Sequence, residues 1–345
     1  MRAVVFEGRS RIKVRDDVGD PKVQDDRDAV VRVTRAAICG SDLHPYRGEI
    51  PGFERGTVLG HEFVGVVEDA GPEAGVLPGD RVVASDLVAC GRCERCARGW
   101  HYHCPQATLF GYSNVVGTAL DGGQAERVRV PFADVVLMRC PDDLSDEEAL
   151  FTGDVLTTGL TAAKLAAIPP GDVVAVVGAG AVGLFAAQCA LALGAGAVVF
   201  SDRSPLRRAA AERLGFRAAA PGDAADVVAS LRGSPGAPSV IEAVGSGEAL
   251  RGAIALAAPR AHVVVVGAHS SPSAPFPAGT AFVRELSIVF AVGDPIATRD
   301  EAFALVTRGK VSPIPIISHR LPLDDAAEGY RLLDSGEATK VVLVP

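Results

Sequence analysis

The chain has 345 residues, 48% of them hydrophobic and 22% charged, with 38 glycines. That length and apolar content suit about two globular domains and exclude both a mainly disordered chain and a small disulfide scaffold. The formal charge of -8 argues against a nucleic-acid surface, which needs clustered Lys and Arg, and favours a small-molecule partner. The amino terminus reaches Glu7 before any long apolar run develops, so it does not read as a secretory signal, and a cytoplasmic protein is expected.

Residues 1–153 carry short Val-rich alternating segments divided by Gly, Pro and Asp turns: Ala29 to Arg35, Gly65 to Asp69, Arg81 to Ala84 and Ala125 to Val130. This pattern predicts an antiparallel β-domain. Within it, Cys39-Gly-Ser41-Asp42-Leu-His44 is followed, 22 residues after Cys39, by His61-Glu62. A lone Cys is often a core residue and a lone His a hydrogen-bonder, so spacing alone leaves a shared metal site and two separate roles side by side.

Cys90, Cys93, Cys96 and Cys104 then place four thiols within 15 residues, in a lobe spanning about residues 88–106. Two-residue spacers let adjacent sulfurs point at one ion, and four thiolates leave no position for water, which predicts a structural zinc. His101 and His103 read as surface residues of that lobe. Cys140 and Cys189 read as core.

Thr152-Gly153-Asp154 stands at the passage between domains, where Asp154 can bring a carboxylate to the ion of Cys39 and His61 from across an interdomain cleft. Such a three-ligand site keeps a fourth position open, as catalytic zinc requires. Asp154 would equally suit a helix cap.

From residue 154 to about 292 the character changes to strand–helix alternation, which predicts a doubly wound parallel sheet. Between Val173 and Phe200 only Gln188 is polar, yet glycines divide this run into strand, turn, helix, turn and strand, so it reads as a buried β-α-β unit and not as a membrane span. Gly178-Ala-Gly180-Ala-Val182-Gly183 follows the first strand and opens the helix, and Asp202 comes 19 residues beyond Gly183 at the end of the next strand. That order is the dinucleotide fingerprint: glycines let backbone amides reach a pyrophosphate and the carboxylate takes the ribose diol. A carboxylate there repels a 2′-phosphate, so NAD is expected over NADP. Arg203, Arg207 and Arg208 follow it and would either soften this choice or form only a solvated helix face.

Phe53, Phe110, Tyr112, Phe151 and Phe290 are candidates for an apolar substrate pocket or for the core, and His269 for the ligand end of a parallel strand. Residues 293–345 are expected to return to the first domain, ending in a strand, Lys340 to Val344. Leu286 to Val292 would form the sheet edge, where a bare strand invites a second subunit.

The motifs Ser41-Asp-Leu-His-Pro-Tyr-Arg-Gly-Glu-Ile-Pro, Gly60-His-Glu-Phe-Val-Gly and Gly153-Asp-Val-Leu-Thr-Thr-Gly, with the cysteine lobe and the glycine turn in one order, resemble the zinc-dependent medium-chain alcohol dehydrogenases. The bacterial branch related to formaldehyde dehydrogenase and broad-range thermophilic alcohol dehydrogenases is the most similar. The resemblance implies an α/β chain with a GroES-like β-rich catalytic domain and a Rossmann nucleotide-binding domain. It implies catalytic zinc at Cys39, His61 and Asp154, Glu62 as a nearby carboxylate, and a second, structural zinc at the four cysteines. Ser41 would take the alcohol proton and His44 relay it; Thr158 would contact nicotinamide and Lys340 the pyrophosphate. The third ligand departs from many members, which have Cys where this chain has Asp154. A homodimer or homotetramer is implied. Two competing readings are a zinc-free quinone or enone reductase of the same superfamily and a non-catalytic NAD-binding protein.

Overall fold

The structure, a computed structural model, describes residues 1–271 and 273–345. The chain separates into two compact units. One comprises Met1–Asp154, Asp294–Thr307 and Ile317–Pro345, the other Val155–Gly293 and Arg308–Ile316. Reciprocal hydrogen bonds between the Gln188 side chain and the Ser312 backbone hold the returning segment Arg308–Ile316 to the second unit, so the last stretch of chain does not belong wholly to the first.

The first unit is built on a seven-stranded sheet. Its order is His319–Pro322, Val341–Val344, Ala29–Ile38, Glu62–Ala70, Arg81–Ala84 and Leu137–Arg139, with Arg127–Val130 also paired to Ala29–Ile38. All pairs are antiparallel except that of the last two strands in the chain. Two strands run further than the alternation predicts: Ala29–Ile38 continues past Arg35, and Glu62–Ala70 begins before Gly65. The pairing shifts register between Val33 and Arg35, where the Thr34 hydroxyl bonds the Val64 carbonyl and Asp146. The extra residues matter because Ala37 pairs with Glu62, which brings Cys39 and His61 to one end of the sheet.

Gly60 enters that strand end at φ +96°, and a Cβ there would meet the Gln124 side chain at 2.4 Å. Only glycine fits so close an approach in the left-handed region. Phe63 and Phe110 meet edge to face at 5.1 Å in the core beneath, and fully buried Tyr330 closes it.

The second unit holds a wholly parallel six-stranded sheet, ordered Arg217–Ala219, Ala197–Ser201, Val173–Val177, Ala237–Glu242, Ala257–Val265 and Ser287–Phe290. Val173–Val177 is buried at every position, as a central strand covered on both faces must be. The apolar run from Val173 to Phe200 is this strand, the 12-residue helix Ala181–Ala192 and the strand Ala197–Ser201. Among the described residues no helix is long and apolar enough to cross a membrane. Ser287–Phe290 lies at the sheet edge, with Phe290 exposed.

Candidate active site and structural metal lobe

The short helix Glu94–Ala97 turns Cys93 and Cys96 towards each other, with sulfurs 3.5 Å apart, while Cys93 lies 3.9 Å from Cys104 and Cys90 lies 4.0 Å from Cys96. Four sulfurs arranged tetrahedrally at Zn–S bond length stand about 3.8 Å apart, so this group fits the ion. All four thiols are free of disulfides. The Cys96 amide donates to the Cys93 sulfur and holds that thiol down, at about 7, whereas burial pushes Cys96 up to about 12. His103 is exposed, but His101 is not the surface residue expected from its polar neighbourhood. It is buried, with Nδ1 2.9 Å from Asp294, a partner far along the chain that local sequence does not reveal.

At the sheet end, donor atoms of Cys39, His61, Glu62 and Asp154 all lie within 4.8 Å of one another, and all four residues are buried. Asp154 belongs to the same unit as the other three and reaches them from within it. Its Oδ2 lies 3.5 Å from the Cys39 sulfur and 3.3 Å from His61 Nε2. The opposite ring nitrogen, Nδ1, lies 3.2 Å from Asp42 Oδ1. Asp42 is fully buried and also accepts from the Cys39 amide and from Gln124, whose own carbonyl accepts from the Tyr330 hydroxyl. A carboxylate behind a histidine fixes the ring so that its other nitrogen faces a metal.

Burial disfavours the charged form of His61, but Asp42 and then Asp154 outweigh it and raise its pKa well above the ordinary value. Burial also raises the Cys39 thiol to about 11. Without an ion, then, protons and Lys340 balance the carboxylates; a divalent cation would displace those protons, which is the behaviour of a metal donor set. Glu62 keeps one buried oxygen without a hydrogen bond, and its other oxygen holds the Lys340 ammonium.

Ser41 Oγ lies 3.2 Å from His61 Nε2, beside the donor group. His44, on the short helix Leu43–Arg47, pairs through Nδ1 with Glu49 at 2.6 Å. Of the aromatic pocket candidates, Phe110 and Phe151 are fully buried. Phe53 stacks edge to face on Phe6 and Tyr112. Tyr112 flanks the site, 6.2 Å from the His61 ring, with its hydroxyl donating to the Ser41 carbonyl. Sequence reasoning missed the parts played by Asp42 and Gln124, because each acts through a partner distant in the chain.

In the second unit Gly180 caps the helix Ala181–Ala192, with Val182 in its first turn, and Gly183 packs so tightly that a Cβ would meet the Gly178 carbonyl at 2.0 Å. Asp202 accepts from the Ala179 amide at 2.7 Å and from the Ser204 amide at 2.8 Å, which pins its carboxylate against the glycine turn. Arg203 is exposed and pairs with Glu248; Arg208 folds back on the Asp202 and Arg203 carbonyls. Thr158 lies on helix Val155–Leu165, and His269 faces Glu242 at 3.5 Å rather than solvent. The Lys340 ammonium is buried in the first unit, against Glu62 and over the Phe151 ring, beside the metal-donor group.

A zinc-compatible cysteine lobe, an open donor group and a dinucleotide turn define a two-domain dehydrogenase architecture. The family model of the alcohol dehydrogenase GroES-like domain matches residues 25–142, and that of zinc-binding dehydrogenases matches residues 181–308. A protein described as a probable zinc-binding alcohol dehydrogenase from Mycobacterium tuberculosis is 37% identical over 348 residues, covering 100% of this chain and 89% of its own. The solved alcohol dehydrogenase of Thermus sp. ATN1 is 41% identical, with a TM-score of 0.93 over 100% of this chain and 99% of its own. A Sinorhizobium meliloti protein solved with NADP bound is 30% identical, with a TM-score of 0.85 over 100% and 99%. The chain belongs to the zinc-type, medium-chain alcohol dehydrogenase family, with GroES-like and Rossmann folds.

Proposed function

We propose that this chain is an NAD-dependent zinc alcohol dehydrogenase (EC 1.1.1.-), moving a hydride between a primary or secondary alcohol and NAD, with the aldehyde or ketone as the reverse substrate. The observation that carries this reading is the convergence of Cys39, His61, Asp154 and Glu62 with Ser41 beside them. Cys39, His61 and Asp154 would hold catalytic zinc, and the four lobe cysteines a second, structural one. Zinc bound there supplies Lewis-acid polarisation of the substrate oxygen. Nicotinamide supplies the hydride acceptor.

The chain's own residues do the remainder. Ser41 Oγ accepts the hydroxyl proton and His44 passes it to solvent. Pairing of His44 Nδ1 with Glu49 leaves its other ring nitrogen for that task. Asp42 keeps His61 in one orientation. Glu62 is a reserve carboxylate. Gly178, Gly180, Val182 and Gly183 form the pyrophosphate turn, Thr158 supports nicotinamide, and the anchored carboxylate of Asp202 favours NAD over NADP by repelling a 2′-phosphate.

The partner is a small molecule, without a nucleic-acid or membrane surface. The exposed edge Ser287–Phe290 favours a homodimer or homotetramer. The free thiols of Cys39, Cys90, Cys93, Cys96, Cys104 and Cys140 suit the cytoplasm. Initial rates with Ser41→Ala test the proton route: kcat is expected to fall about 10²-fold. A fully active variant would remove Ser41 from it.

A further inference from the structure

Asp86 lies between the strands Arg81–Ala84 and Leu87–Val88 and is only 6% exposed. Its backbone is fixed at both ends: the amide donates to the Gly153 carbonyl at 3.0 Å, next to Asp154, and the carbonyl accepts from the Phe110 amide at 3.3 Å. The Tyr102 hydroxyl, from the cysteine lobe, donates to Oδ2 at 2.8 Å. The second oxygen, Oδ1, is buried and has no hydrogen-bond partner among the described residues.

The other carboxylates of this neighbourhood each serve a charged or metal-donor partner, although Glu62 also keeps one oxygen without a hydrogen bond. Asp42 serves the Cys39 amide, Gln124 and His61; Glu62 serves Lys340; Asp154 faces Cys39 and His61. Burial and then the charge of Asp154 raise the Asp86 carboxyl to about 8, against the opposing charge of His61. Both neighbours are members of the donor group, so Asp86 stands within its field. A buried polar atom with no partner is costly unless something supplies one. A hydroxyl both donates and accepts, so it satisfies Oδ1 whether the carboxyl is charged or neutral.

We propose that Asp86 recognises a second hydroxyl group on the substrate, so that the enzyme prefers vicinal diols and polyols to plain alkanols. This rests on the alcohol dehydrogenase reading and replaces the expectation of a mainly apolar substrate. Tyr102 holds the carboxylate in place for this task.

The test compares butane-2,3-diol with butan-2-ol on the zinc-loaded enzyme with NAD. The diol is expected to have the higher kcat/KM, by about tenfold or more. In the double variant Asp86→Leu/Tyr102→Phe, which leaves no orphaned phenol, that ratio should collapse towards one. A wild-type ratio at or below one, or a folded double variant that keeps the wild-type ratio, overturns the proposal while the dehydrogenase reading stands. A wild-type enzyme that oxidises neither these nor any other alcohol overturns both. Should the double variant not fold, the wild-type ratio decides alone.

Discussion

The ammonium of Lys340 is buried against the carboxylate of Glu62, 278 residues earlier in the chain, so the residue that leads into the last strand completes a donor group assembled by the first half of the protein. Burial lowers the Lys340 pKa, but the Glu62 carboxylate outweighs it and keeps the lysine charged. Lys340→Met would leave Glu62 buried without its cation, and is expected to cost about 3–5 kcal/mol in denaturant unfolding. Adding Glu62→Gln should recover much of that loss. Equal losses for single and double variants would show that the pair is not coupled.

The cysteine lobe is predicted to hold its own ion. Cys96→Ser should reduce bound zinc by about one ion per subunit and lower thermal stability, since three of the lobe cysteines, Cys90, Cys96 and Cys104, belong to its small buried core. Metal analysis with thermal melting checks this. Undiminished zinc would remove Cys96 from the ligand set.

Asp202 is held by two backbone amides against the glycine turn. In Asp202→Ala the kcat/KM for NAD should fall about tenfold or more while that for NADP falls less, because the repulsion towards a 2′-phosphate disappears with the carboxylate. Steady-state kinetics with both cofactors reads this out. Wild-type preference for NADP would contradict it.

Arg320, on the returning strand His319–Pro322, clasps Glu147 with contacts of 2.7 and 2.9 Å. The Arg320 hydrogen bond holds the Glu147 carboxyl below its usual range against the opposing effect of burial. A depressed carboxyl stabilises the fold above its unfolded pKa, and that contribution disappears as pH falls through the folded value. Glu147→Gln should therefore cost about 1 kcal/mol at pH 7. The difference from wild type should shrink below about pH 4, as thermal melts across pH would show.

What could be read from the sequence was whatever is encoded locally. The Cys90–Cys104 spacing, the glycine turn and the β-α-β run from Val173 to Phe200 are each set by residues close in the chain, and strands such as Arg81–Ala84, Val173–Val177 and Ala197–Ser201 have the bounds their composition predicts. The grouping of Cys39 with His61 was only half legible, because it depends on two strands extending past their alternating stretches and on a register shift at Thr34. His101 with Asp294, Tyr102 with Asp86 and Lys340 with Glu62 were illegible, since each joins residues whose proximity only the tertiary fold creates. The placement of Lys340 shows the limit of a resemblance: it identified the basic residue but not the carboxylate that buries it.

The central claim is that Cys39, His61 and Asp154 assemble a working metal site distinct from the four-cysteine lobe. Zinc content per subunit of purified protein, measured together with NAD-linked oxidation of a panel of primary and secondary alcohols, tests it most directly. The account predicts about two zinc ions and NADH formation in the wild type, with Cys39→Ala or His61→Ala keeping about one ion and losing turnover. About one ion in the wild type, with no alcohol oxidised, would contradict it and favour a zinc-free reductase or a non-catalytic nucleotide binder.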